Sequence, residues 1–251
     1  MDNDRDFVGA LEKGLMVIES FGFEHQRQTL SDVAKRTQMT RAAARRYLLT
    51  LTKLGYAESD GKYFWLVPRV LHLGYALLSS SPLPRRARPI LDRIGMLVGE
   101  IASLAVQDGA EVIFLAHSSS NRIVSATAGI GMRMPLYCSA AGKAILARQS
   151  DDEIKRFLKS NEFPKLTPRT LTTASAITKE LMEVRKKGYG ISNEELETGL
   201  LSIGVPLPEP NGRVIHALTV SLHTGRMSVE QLVEKALPPL LAGQQELAAL
   251  M

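Results

Sequence analysis

The stretch that decides the fold is LSDVAKRTQMTRAAARRYLLTLTKLGY, residues 30–56. Just before it, Thr29 with Asp32 has the T-x-x-D form of a capped helix start, and Leu30, Val33 and Ala34 repeat at helical spacing. Gln38-Met39 is a short connection. Thr40 then caps a second helix, which stops at Gly55, where glycine accepts the left-handed backbone of a helix end. In that helix Ala44, Tyr47, Leu48 and Leu51 form the core stripe, and Arg41, Ala42, Arg45 and Arg46 fall on the opposite side near its start. Two short helices joined by a tight turn, the second basic at its N-terminus, form a helix-turn-helix, whose second helix enters the major groove of DNA. The arginine fork suits guanine O6 and N7, and small Ala42 and Ala43 permit close approach.

Working outward, YAESDGKYFWLV (56–67) reads as strand, Asp60-Gly61 turn and strand, which after a helix-turn-helix is a wing. Lys62 at its tip is placed to reach a phosphate, a contact that positions without reading sequence. Trp65 is expected in the wing core. Upstream, Leu11, Leu15, Val17, Ile18 and Phe21 give the segment Ala10–Phe21 a one-sided helical face. Between Arg27 and Lys53 lie seven basic residues and one acid, Asp32, so +6 sits in this short stretch although the whole chain carries only +5. A sequence-neutral architectural DNA-binding protein would share this basic pair of helices, but its binding would be salt-steep and sequence-blind.

The chain has 251 residues, 45% hydrophobic and 23% charged, which fits an ordinary globular protein of two domains. SSSPLPRRARP (79–89) reads as a linker followed by a helix start. The expected division is a DNA-binding domain over 1–68, a linker helix over 69–83 and a second domain over 84–251. A lone cysteine, Cys138, permits neither an intrachain disulfide nor a Cys-based zinc site, as suits a reducing cytoplasm. His25, His72, His117, His216 and His223 form no metal spacing, and no glycine-rich phosphate loop is present, so neither metal nor cofactor is expected. The longest run without Asp, Glu, Lys or Arg, 70–84, is too short to cross a bilayer, and MDNDRDF lacks the apolar stretch of a secretory signal. A cytoplasmic protein without a membrane partner is expected.

In the second domain PILDRIGMLVGEI (89–101) reads as a helix with Ile90, Ile94, Leu97 and Ile101 on one face. Residues 102–129 read as three strands, with turns at Asp108-Gly109 and 118–121. Helices are expected at PLYCSAAGKAILARQ, DDEIKRFLKS and SAITKELMEVRKKGYG. Two strands, LSIGVPLP and RVIHALTVSLH, flank a turn at 210–212, and a last helix starts near Ser228. This is an α+β domain with an antiparallel sheet. Ser139, Ala140 and Ala141 open a helix whose first N–H groups suit a carboxylate. Ser202, with Thr219 and Ser221 at period-two spacing, puts short hydroxyls on one sheet face; those hydroxyls could equally be satisfied within the sheet. Arg122 and Arg133 stand nearby as possible counter-charges. The rival function is a small-acid-metabolising enzyme with Cys138 as nucleophile. Cys138 stands near a helix start, but no base can be assigned to it, and a packed thiol and a non-enzyme are expected. Glu194, Glu195 and Glu197 are expected in a loop after a strand, in a solvated, inter-subunit or acid–base role.

The order LEKGLMVIESF, residues 30–56, the wing and then PRVLHLG (68–74) resembles the IclR family of bacterial transcriptional regulators. MPLYCSAAGKAILA, GYGISNEELETGLLSIGVPL and GRVIHALTVSLHTGR are similar to that family's GAF-like effector domain, so the likeness covers nearly the whole chain. It is strongest to the branch controlling aromatic-acid breakdown through the β-ketoadipate route. The resemblance implies that Thr40, Arg41, Ala42, Arg45, Arg46 and Lys62 face operator DNA. It implies effector contacts at Ser139, Ala140, Ala141, Ser192, Ser202, Thr219 and Ser221, with Ile123 and Met134 as apolar wall. This chain has Ser192 where other members carry an acid, Ser202 where they carry a thiol, and Ala140 where they carry glycine. The implied assembly is a homodimer through the N-terminal domains, with effector domains making a homotetramer, and the implied effector is a small organic acid, an aromatic acid or its ring-cleavage product.

Overall fold

The computed structural model describes residues 6–22, 24–119 and 129–251. They form two compact units, 1–77 and 78–251, within which the elements below pack.

In the first unit α1 (Gly9–Glu19), α2 (Leu30–Arg36) and α3 (Arg41–Leu54) surround a core of Val17, Val33, Ala44, Leu48, Leu51 and Phe64. The start of α2 is a complete capping box: Thr29 Oγ1 accepts the Asp32 amide, and the Asp32 carboxylate accepts the Thr29 amide. The turn to α3 runs through Gln38 at φ +54, a left-handed backbone rare outside glycine. Thr40 Oγ1 accepts the Ala43 amide to open α3, and Gly55 at φ +76 closes it. Strands β2 (Ala57–Ser59) and β3 (Tyr63–Leu66) form the wing, with Gly61 at φ +95 in its turn. A two-residue strand, β1 (Gln28–Thr29), adds to β3 opposite Tyr63 and Phe64.

Two expectations change here. Leu11 and Leu15 are exposed, because α1 meets the core through Val17, with Ile18 and Phe21 half-buried against it. In the wing Phe64 is the buried residue; Trp65, next along the strand, faces the other way and lies half-buried under the Arg27 guanidinium, 4.3 Å from the ring.

A 3₁₀ turn at Pro68–Val70 leads to α4 (Leu71–Ser80), none of whose residues is buried within the chain. In the second unit a six-stranded antiparallel sheet has the order β6-β5-β4-β9-β8-β7, where β4 is Ile101–Asp108, β5 Glu111–His117, β6 Arg133–Pro135, β7 Gly190–Asn193, β8 Leu200–Pro208 and β9 Val214–His223. Helices α5 (Pro82–Val98) and α9 (Val229–Ala249) cover one face, against Leu104, Ile203, Val205, Leu218 and Val220. On the other face lies α6 (Ala140–Leu146), backed by α7 (Asp151–Ser160) and α8 (Ala174–Lys187). With both faces covered, β8 is buried from Leu200 to Leu207.

Helix α5 ends at Val98, because Gly99 at φ +75 stops it; Leu97 is exposed and Ile101 opens β4, so neither shares the face of Ile90 and Ile94. Helix α6 is shorter than 135–149, since Ser139 caps it and residues 136–139 are turn. Likewise Gly188 at φ +85 ends α8, and Gly190 opens β7. The third strand expected before Gly129 lies outside the described residues, and β6 was not expected.

Candidate functional site

Thr40, Arg41, Ala42, Arg45 and Arg46 are all exposed on the first two turns of α3, opposite buried Ala44, Leu48 and Leu51. Lys62 is exposed at the wing tip, where Asp60 Oδ1 accepts the Lys62 and Tyr63 amides at 3.0 and 2.8 Å. Those amides hold the Asp60 carboxyl below its ordinary range. Asp60 also receives Arg27 at 2.8 Å. One of the seven basic residues in the +6 stretch is therefore engaged by an acid from outside it.

In the second unit α6 sits directly on the sheet. A Cβ on Gly142 would stand 2.2 Å from the Leu136 carbonyl oxygen, and one on Gly204 of β8 would stand 2.7 Å from that of Ala140. Only hydrogen at these positions lets the turn at Leu136 fold back against α6 and the helix start lie on β8. Ser139 Oγ accepts the Gly142 amide at 3.1 Å, which leaves the Ala140 and Ala141 amides without an intrahelical acceptor. In the register of β8 and β9, Ser202 lies opposite Ser221, and the two hydroxyls bond at 2.9 Å. Thr219, 2% exposed, lies two residues along β9 on the same face, and its hydroxyl finds no partner. Ser192 Oγ donates to the Cys138 carbonyl at 2.6 Å.

Met134, Ser139, Ala140, Ala141, Ser192, Ser202, Thr219 and Ser221 thus line one narrow cleft, whose cavity volume is about 10 Å³. Among the described residues, Phe114, Leu196 and Leu200 also line it and were not anticipated. Phe114 gets there through its register opposite Ala105, Leu196 through the loop between β7 and β8, and Leu200 as the first residue of β8. Ile123 and Arg122 lie outside the described residues. Arg133 does not serve the cleft: its guanidinium donates to Glu111 at 2.5 Å and Asp108 at 2.7 Å.

Against these sites, the profile described as IclR helix-turn-helix domain matches residues 10–61, and that described as bacterial transcriptional regulator IclR C-terminal matches 75–247. The chain belongs to the IclR family of bacterial transcriptional regulators. Among IclR-type relatives, the Pca regulon regulatory protein of Pseudomonas putida is 39% identical, over 97% of this chain and 84% of the relative. The p-hydroxybenzoate hydroxylase transcriptional activator of Acinetobacter baylyi is 34% identical, over 98% of this chain and 93% of its own. An IclR homologue from Microbacterium hydrocarbonoxydans, solved in complex with 4-hydroxybenzoate, is 27% identical and superposes with a TM-score of 0.75 over 96% of this chain and 99% of that one. The chain is accordingly a DNA-binding regulator with the IclR arrangement of a helix-turn-helix domain and an α+β sensor domain.

The residues that suggested enzymatic chemistry have other surroundings. Cys138 is fully buried, and burial pushes its thiol up to about 12, the reverse of what a nucleophilic thiolate requires. His117 Nδ1 lies 2.7 Å from Ser103 Oγ, and His216 faces Glu209 at 3.4 Å. Among the described residues no group of His, Cys, Asp and Glu could hold a metal ion, and no helix is long and apolar enough to cross a membrane. Glu195 is largely withdrawn from solvent, its side chain 12% exposed, and it meets the buried ammonium of Lys143 at 2.5 Å.

Proposed function

We propose that this regulator senses a small aromatic carboxylate in the cleft beneath α6 and that occupancy changes its affinity for operator DNA. The observation that carries the reading is the unpaired hydroxyl of Thr219, buried among Ser192, Ser202 and Ser221 and beside the open amides of Ala140 and Ala141. The Thr219 and Ser221 hydroxyls and the two amides are donors a carboxylate would accept from, and Phe114, Met134, Leu196 and Leu200 offer an aromatic ring an apolar wall once the narrow cleft widens around it. The relative bound to 4-hydroxybenzoate supports this class of ligand.

The division of labour is DNA reading by 1–68, connection by 69–83 and sensing by 84–251. Arg41, Arg45 and Arg46 read or anchor the operator, with Thr40 and Ala42 against the groove and Lys62 on a phosphate. The assembly is a homodimer, two of which pair as a tetramer, working in the cytoplasm on two half-sites. An effector alters DNA affinity only by favouring one of two states of that assembly, so its binding and operator binding are reciprocally linked.

The test is a thermal-shift and gel-shift series with 4-hydroxybenzoate, 3-hydroxybenzoate and an aliphatic dicarboxylate of the kind ring cleavage yields. An aromatic acid is expected to raise the melting temperature and to shift operator affinity. Ser202→Leu and Thr219→Leu are each expected to abolish that shift and keep DNA binding. Variants that respond like the parent, or an acid series that leaves the parent unmoved, would overturn the reading.

A further inference from the structure

Lys143, the fourth residue of α6, is 1% exposed, among the largest fully buried side chains of the chain. Its ammonium has three protons and three acceptors: Glu195 Oε1 at 2.5 Å, the Ile191 carbonyl at 2.9 Å and Glu180 Oε1 at 3.1 Å. Those acceptors belong to three different pieces of chain: the loop after β7, β7 itself and α8. Removing one partner of such a buried pair leaves an uncompensated charge, whereas replacing both with apolar groups is commonly tolerated.

What the lysine holds is the wall of the cleft. Glu195 is followed directly by Leu196, and the loop ends at Leu200, both lining residues. The loop is also tied from other sides: Thr167 Oγ1 donates to the Glu194 carbonyl and Thr170 Oγ1 to that of Glu195, each at 2.6 Å, Arg169 meets Glu194 at 3.3 Å, and the Thr224 amide donates to the Gly199 carbonyl at 2.8 Å. Of these ties only the Lys143 ammonium joins the loop to α6. Glu194 takes a left-handed backbone at φ +58, a conformation that needs support in a residue other than glycine. At the backbone end of the same lysine, Ala140 and Ala141 line the cleft in the first turn of the same short helix.

We infer that Lys143 is a positioning residue of the effector cleft: its ammonium holds the loop 194–199 against α6, and so sets the gap between Leu196 and the helix start. The inference rests on the reading that this cleft binds the effector. Glu195, which burial raises above the ordinary carboxylate range and Lys143 draws back, is the partner through which the hold acts. Without the pair, the loop samples open arrangements and the fraction of molecules with a complete cleft falls.

Hydrogen exchange on the full chain without ligand tests the positioning apart from the ligand. In Lys143→Met/Glu195→Met, the Glu194, Gly199 and Leu200 amides, whose bonds close the loop, are expected to exchange about tenfold faster or more, while Ile203 and Val220 in the sheet keep parental protection. Calorimetry with 4-hydroxybenzoate is then expected to show about tenfold weaker binding, since apparent affinity follows the competent fraction. Lys143→Arg, which keeps the charge, is expected to retain part of both. Loop amides as protected as in the parent would overturn the inference. If the double variant does not fold, Glu195→Gln decides by the same exchange, with faster loop amides supporting the hold and unchanged ones overturning it. A parent that binds no acid but shows the exchange effect would remove the effector reading and leave the hold in place.

Discussion

Two helix starts in this chain share their local chemistry and differ in fate. α3 opens Thr40-Arg-Ala-Ala-Ala44, and α6 opens Ser139-Ala-Ala-Gly-Lys143. In each a hydroxyl accepts the amide three residues on, Ala43 at 3.2 Å and Gly142 at 3.1 Å. Yet Arg41, Ala42, Arg45 and Arg46 stand in water, whereas every residue of α6 is buried and its one cation is matched by three acceptors. The neighbours make the difference. α3 packs through one stripe and leaves its other face exposed, while α6 lies flat on a sheet that yields to it at Gly204. A capped start is therefore compatible with an open, charged face or with a fully buried one, and the surrounding elements decide which.

The comparison breaks most visibly at Gly142. Alanine there would put Cβ into the Leu136 carbonyl, and urea denaturation is expected to show a loss of about 3 kcal/mol, at the upper end for overpacking. Ala42→Ser at the exposed start of α3 is the matched control, expected within about 0.5 kcal/mol. Equal effects would mean that the two starts are not differently packed.

Next in size is Arg45→Ala, expected to weaken operator binding by about 1–3 kcal/mol at fixed salt without changing thermal stability. An unchanged gel shift would take α3 out of DNA reading. Thr219→Val sharpens the buried side of the comparison. Removing a hydroxyl without a partner leaves the ligand-free protein as stable as before or slightly more so, while the affinity for 4-hydroxybenzoate falls by about 1 kcal/mol. Parental affinity in that variant would place the carboxylate elsewhere.

The smallest effect is in pH. The Cys138 thiol, ordinarily near 9.0, is pushed up to about 12 by burial. The native state keeps this proton while the unfolded chain loses it, so stability falls as pH rises from about 9 towards 12. At pH 9.5 the loss is under about 1 kcal/mol, and Cys138→Ala is expected to remove it in paired unfolding curves.

Much of the architecture is legible from nearest neighbours along the chain. Capping pairs such as Thr29/Asp32, the stop at Gly55 and the Asp60-Gly61 turn act within four residues, where sequence and geometry are nearly one statement. Faces are less legible. The period of α1 marks Leu11 and Leu15 as apolar, but which part of that stripe meets the core depends on where α2 and α3 lie. Trp65 reads as core by its size, whereas strand alternation gives that place to Phe64 and leaves the indole to Arg27. In the cleft, Ser202, Thr219 and Ser221 are visible as spaced hydroxyls. Phe114, Leu196 and Leu200 are not, since their approach depends on sheet register and on a loop closed by Thr167 and Thr170.

Local order thus follows from residue types at short range: which segments are helices, where they start and stop, and that one of them carries arginines on a single face. Charge pairing and cleft closure follow from long-range packing. Lys143 reads in sequence as a surface lysine, because nothing within several residues of it is acidic. It becomes a buried clamp only when Glu180 and Glu195, far along the chain, are folded against it, since an ammonium loses water safely only where three acceptors replace it.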